Sequence, residues 1–211
     1  MKRTTLLGVS SLCSLPFFLC SISFGFMPGN NKIPVINSAY ISKIFNGTVA
    51  VINVHTENVD FFLNTGTNPA EPVTISDLDR VYVANLHGGT VSVFNTTNQS
   101  VVETIVIGAP VAAIDADPVS RNLYVLDFSN GAPGTRLHVI DAETNMETAN
   151  VVVGSRVQNI AINSNQNRAY ITDFYEGLIV VDITDNSVIT TLPLFDLPHG
   201  IAVNPNRISC M

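Results

Sequence analysis

Cysteine, charge and helical periodicity are all scarce in this chain, and each shortage removes a class of answer. Of the three cysteines in 211 residues, Cys13 and Cys20 sit in the N-terminal apolar run and Cys210 stands next to the end. No disulfide framework is expected, so the fold must hold by burial and strand pairing. Charged residues make up 13%, about half the usual share, and Asn, Ser and Thr supply the polar surface instead. Ten basic residues face 17 acidic ones, for a net charge of −7, or about −9 once Lys2 and Arg3 are set aside. With no basic cluster there is no footprint for nucleic acid, whose affinity rests on neutralising phosphates, or for an anionic membrane surface.

Motifs are equally sparse. No segment longer than a turn shows a 3.6-residue period, which excludes a helical core. There is no Gly-x-Ser-x-Gly elbow, phosphate loop or Cys-x-x-Cys pair, so no nucleophile, nucleotide or redox chemistry is signalled and no cofactor is implied. His55, His87, His138 and His199 fall at unrelated positions without metal-ligand spacing. No charged or proline-rich linker divides the chain, so one domain is expected.

What is present is apolar content of 46%, mostly Val and Ile, residues that suit strands. At the N-terminus, Lys2 and Arg3 precede an apolar run over Leu6–Ile22, and Ser23-Phe24-Gly25 offers small residues for cleavage. This reads as an export signal over residues 1–25, with a retained anchor as the alternative. The expected location is periplasmic, extracellular or on the cell surface, with no membrane contact beyond the signal.

Beyond it, a tyrosine opens a short β-branched run four times: Tyr40-Ile41-Ser42, Tyr82-Val83-Ala84-Asn85, Tyr124-Val125-Leu126-Asp127 and Tyr170-Ile171-Thr172-Asp173. The intervals are 42, 42 and 46 residues. Each run lies in a unit of four short strands. In the second unit these are Glu71–Ile75, Val81–Ala84, Thr90–Phe94 and Val101–Ile107, separated by Asp/Asn/Gly turns. The third unit carries an insertion at 129–134. Four short antiparallel strands at a period near 40 predict an all-β fold, a β-propeller of four-stranded blades, since a lone sheet exposes two faces that only stacking can cover.

The units span about 33–66, 69–108, 110–154 and 157–194, with a partial unit at 198–206 and a tail at 207–211. Pro198-His199-Gly200-Ile201-Ala202-Val203-Asn204 repeats the innermost strand of a unit and then stops short of a tyrosine. It either closes the ring by completing the first blade, whose own first strand (Pro34-Val35-Ile36) is weak, or leaves an incomplete arc of a larger propeller with exposed edges.

These residues resemble the YVTN-repeat β-propeller family. Tyr82-Val83-Ala84-Asn85 and Tyr170-Ile171-Thr172-Asp173 match its second strand, and Thr90–Asn95 with Val101–Gly108 and Leu178–Asp182 match the rest. The likeness covers about 33–206. It implies an exported or surface-associated bacterial scaffold and supplies no catalytic residues.

The candidate ligand-binding residues are few. Propeller ligands sit at the mouth of the central channel, which selects His199, Gln158 and Asn159 as one rim. Asn85, Asp127 and Asp173, each three residues after a tyrosine, either converge on one ligand or cap the following turn. Asn53, Asn95, Asp141 and Asp182 end the third strand of each unit and read as Asx turns. The expected function is a non-enzymatic scaffold binding protein, glycan or a small molecule, with self-association through exposed blade edges. The alternatives are a channel-mouth enzyme, which requires His199, Asp127 and Asp173 to converge, and a remnant of a longer propeller.

Overall fold

The structure, a computed structural model, describes residues 22–24, 38–128, 134–194 and 197–204. The expected strand at Pro34–Ile36, most of the insertion at 129–134, residues 205–211 and all of the expected signal segment 1–25 but 22–24 lie outside the described residues.

Sixteen strands form four separate antiparallel sheets in chain order. The first blade holds β1 (Ile22–Phe24), β2 (Ser38–Lys43), β3 (Thr48–Asn53) and β4 (Asn58–Asn64). The second holds β5 (Pro69–Ile75), β6 (Arg80–Asn85), β7 (Thr90–Asn95) and β8 (Val101–Val106). The third holds β9 (Val111–Asp117), β10 (Asn122–Asp127), β11 (Thr135–Asp141) and β12 (Met146–Gly154). The fourth holds β13 (Val157–Asn163), β14 (Arg168–Asp173), β15 (Gly177–Asp182) and β16 (Ser187–Leu192). Neighbouring blades meet through their innermost strands, β1 against β5, β5 against β9 and β9 against β13.

The blades follow from patterning. In Val81-Tyr82-Val83-Ala84 every side chain is buried. Alternation along the strand sends Tyr82 and Ala84 to one face and Val81 and Val83 to the other. The first face packs with Val91, Val93 and Ile105 against Ile114, Leu123, Val125 and Ile140 of the third blade. The second packs with Phe94 against Tyr40, Val49, Val51 and Leu63 of the first. A third cluster joins Tyr124, Leu126 and Leu137 to Ile160, Ile171 and Ile179. The core therefore lies between sheets. The repeated tyrosine also crosses one junction with its hydroxyl: Tyr82 Oη donates to the carbonyl of Ala142, one blade on, at 2.8 Å. Burial around this phenol pushes it up to about 12, because the charged form is poorly solvated there.

The Asx turns form as expected. Asn53 Oδ1 accepts from the N–H groups of His55 and Thr56, Asn95 from Thr97 and Asn98, Asp141 from Glu143 and Thr144, and Asp182 from Thr184.

Among the described residues no strand ladder joins the fourth blade to the first. The innermost position of the first blade is filled by β1, from the end of the apolar N-terminal run, pairing Ile22 with Ile41, Ser23 with Tyr40 and Phe24 with Ala39. Residues 197–204 form no strand. They lie along the fourth blade, where the His199 carbonyl accepts from Thr172 Oγ1 at 2.9 Å.

Tyr82→Phe is expected to destabilise the protein by about 1–3 kcal/mol, because the buried Ala142 carbonyl loses its donor from the phenol. Tyr170→Phe should change stability by less than about 0.5 kcal/mol, since its hydroxyl meets only Gln166 at an exposed site. Urea unfolding of the two variants checks the contrast.

Candidate functional site

Three of the residues singled out from the sequence are structural. Asn85 is buried at the end of β6. Its Oδ1 accepts from Gly66 N–H at 3.0 Å and its Nδ2 donates to Thr90 and Ser92, each at 2.9 Å. Asp127, equally buried, accepts from Arg136 N–H at 2.7 Å and stands 3.5 Å from His138 Nε2. Asp173 fills both oxygens with backbone donors: Ser155 and Arg156 on Oδ2, Tyr175 and Glu176 on Oδ1. Burial alone would raise its carboxyl, but these four N–H groups outweigh it and hold the group below the ordinary range. The three side chains fasten the strand 2–3 loop and, in blades two and four, the link from the previous blade. None of the three lines the cavity that His199 lines.

His138 is more than an isolated polar residue. Its ring is buried with Nδ1 at 2.9 Å from Glu147 Oε1 and Nε2 facing Asp127. It pairs across from Val125 just as Ser92 pairs across from Val83. The Asp127–His138 contact of the third blade thus replaces the Asn85–Ser92 bond of the second.

The proposed rim divides. Gln158 and His199 line one cavity of about 240 Å³ with Leu86, His87, Pro110 and Phe128, where the inner strands of blades three and four begin. Asn159 lines a different cavity of about 400 Å³ further along the inner strands, and its Oδ1 accepts from Ile160 N–H.

The mouth cavity has an apolar floor and polar edges. Leu86 and Phe128 are half-buried, His87 and His199 exposed. Gln158 Nε2 donates to the Val157 carbonyl at 2.9 Å, which leaves its carbonyl oxygen as an acceptor. His199 meets Phe174 edge-on, with centroids 6.3 Å apart. The Arg156 guanidinium lies over Phe174 at 5.0 Å and donates to the hydroxyl of exposed Tyr175 at 3.1 Å. The result is a patch of rings and donors beside a small hydrophobic hollow. Leu86, Phe128 and Phe174 were missed in the sequence. All three stand four residues after a repeat tyrosine, and each donates its N–H to the linker before its own blade's inner strand, at Asn68, Pro110 and Arg156. The repeat register holds that signal.

The larger cavity contains the other feature that sequence alone did not yield. Glu71 is the bulged residue of β5, with φ 43°, and its Oε2 accepts from Ile114 N–H at 3.1 Å across the junction with the third blade. Asp115 repeats the contact one blade on, its Oδ2 accepting from Ile162 N–H at 2.8 Å. Burial pushes Glu71 up to about 7; the Ile114 N–H works against the rise and the Asp115 charge adds to it. Asp115 is raised as well, chiefly by burial. Among the described residues no group of three His, Cys, Asp or Glu side chains is arranged to hold a metal ion.

Comparison with known proteins supports the architecture. No family model matches the chain, and no curated protein matches it. A solved structure of hydrazine synthase from Kuenenia stuttgartiensis is similar over 79% of this chain, with a TM-score of 0.66 and 16% identity. The chain spans 52% of that chain's length. At that identity the likeness concerns the fold alone.

The Glu71 geometry has a pH consequence. A carboxyl raised from 4.5 to about 7 binds its proton more tightly folded than unfolded. Its contribution is therefore fully present below pH 4.5 and is lost as pH rises through about 7. Unfolding free energies measured between pH 4.5 and 8 should show the native protein losing about 3 kcal/mol relative to Glu71→Gln. Parallel curves for the two would refute this role.

Proposed function

We propose that this chain is an exported, non-enzymatic scaffold of the YVTN-repeat propeller type that holds a ring-sized small ligand, such as one sugar unit of a glycan, at the mouth between its second, third and fourth blades. The observation that carries the reading is the mouth cavity itself. Leu86 and Phe128 give it an apolar floor, while His87, Gln158 and His199 supply the polar groups around it. Small-ligand sites combine an apolar lining with a few polar groups that fix orientation. A volume of about 240 Å³ admits one ring rather than a protein loop. Arg156, Phe174 and Tyr175 extend the surface outward for the remainder of a larger ligand.

A scaffold role agrees with how the acids are used. Asp127 and Asp173 are committed to backbone donors of their own blades and, for Asp173, of the link before it, so neither carboxylate is directed at the mouth cavity. Export is supported by Lys2, Arg3 and the apolar run to Ile22.

A glycan array and a small-molecule thermal-shift panel, run with the native protein, should return ligands whose affinity falls at least tenfold, about 1.4 kcal/mol, in Phe128→Ala and in His199→Ala. Both positions are at least partly solvent-exposed, so the fold should survive and the melting temperature of the free protein should hold. A ligand bound equally by all three proteins would place recognition elsewhere.

A further inference from the structure

The fourth blade repeats a face that the other blades bury and leaves its outer part in contact with solvent, while Thr172 and Val180 on the same face are buried and Thr172 bonds the segment at His199. In blades one to three the repeat tyrosines Tyr40, Tyr82 and Tyr124 are buried under the next blade, whereas Tyr170 is half-exposed. The outer-strand residue behind it is buried in the first two blades and half-buried at Val151 in the third. Leu63 (opposite Val49) and Ile105 (opposite Val91) are 5% and 8% exposed, but Leu192, opposite Leu178 in the same register, is 47% exposed.

The first blade shows the converse. Val81, Val83 and Phe94 of the second blade's backward face are fully buried, and so are Leu123, Val125 and Ile140 of the third. In the first blade the counterparts of Val83 and Phe94, Ile41 and Ile52, are only half-buried and Phe62 on the same face is 52% exposed, while Ala39 and Ala50 between them are buried. The first and fourth blades therefore carry two unlike apolar faces, each partly exposed. Each is of the kind that the other kind covers at all three internal junctions.

We propose that the partly exposed face of the fourth blade takes the first blade of a second copy of this chain. Because both faces are present on every copy, the pairing is head-to-tail. Two such contacts close a two-fold ring of eight blades. The occupant follows from continuity with the three internal junctions, which already define which face meets which. Residues 198–204 fit the same arrangement. They lie along Thr172 of β14, where a fifth blade's innermost strand belongs. Their pattern Ile201-Ala202-Val203-Asn204 matches Ile160-Ala161-Ile162-Asn163 of β13. In the ring this segment meets the inner edge of β2 in the second copy, an edge that β1 holds through only three residue pairs, and takes that place.

Sedimentation of the full chain in reducing buffer, over a concentration series, tests the pairing without interference from the cysteines. The expected species has twice the monomer mass of 22.7 kDa. Leu192→Asp and Phe62→Asp should each weaken assembly by about 100-fold, since either buries an unpaired charge in the contact. Both sites are about half-exposed in the single chain, so their melting curves below the assembly concentration should match the native one. Mixing the two variants should restore a dimer through the one junction whose two faces are intact, and the double variant should stay monomeric. A monomeric native chain at all concentrations, whether open or closed on itself, would overturn the proposal. So would growth into larger aggregates without a defined dimer, or a mixture that fails to pair.

Discussion

A four-stranded sheet that is apolar on both faces cannot stand alone in water, and every other feature of this molecule follows from that constraint. Each inner and middle strand places hydrophobic side chains alternately to left and right. Val81 and Val83 look back to the first blade while Tyr82 and Ala84 look forward to the third. Covering both faces requires a neighbour on each side, so stability is a sum of junctions between adjacent blades. The outermost strands escape the rule. β8 and β16 are almost wholly exposed, which makes them tolerant of sequence but leaves each blade's binding energy in its first three strands.

Since the broad faces are committed to packing, polar chemistry is confined to strand ends and to the central channel. At the ends, Asn and Asp are consumed by backbone donors. In the channel, Glu71 and Asp115 reach across consecutive junctions to Ile114 and Ile162. These two bonds tie adjacent inner strands together where no ladder joins them, in surroundings that favour the protonated acid. An acidic chain thus turns part of its negative charge into fasteners. The side chains of His87, His199 and Gln158 stand apart from these fasteners, at the mouth cavity with the rings beside it.

The tyrosine period was enough to place the blades, because burial on both faces imposes the same consecutive apolar run at every unit. Asn53, Asn95, Asp141 and Asp182 were legible for a similar reason: an Asx turn is satisfied within three residues. Asn85, Asp127 and Asp173 were ambiguous because their partners are not all local. Asp173 is filled partly by Ser155 and Arg156, residues of the link before its own blade, and a local reading cannot see that distance. Glu71 was hidden by its bulge, which puts a charged side chain out of step with the strand's alternation. The rim residues Leu86, Phe128 and Phe174 differ in type, so they carry no motif. Only their common offset from the tyrosine marks them, and that offset gains meaning once the strand is known to end one residue earlier. The innermost strand of the first blade was least accessible of all, since the segment that fills it comes from a run that reads as a leader.

Arrays of stacked repeats normally end in polar caps that keep the last apolar face from water. On the forward face of the fourth blade, Leu192 and Tyr170 keep the residue types of a buried junction while standing in partial contact with solvent. An apolar face costs stability when left in water and contributes only when covered. The same residue types at a position that no internal contact requires are explained if a matching face meets them. That reasoning also bears on the mouth. His199 is held against Phe174 by a segment that runs along this same face, so whatever covers the fourth blade also fixes one wall of the cavity. The packing surface of the fourth blade and the wall of the mouth cavity at His199 thus share one segment.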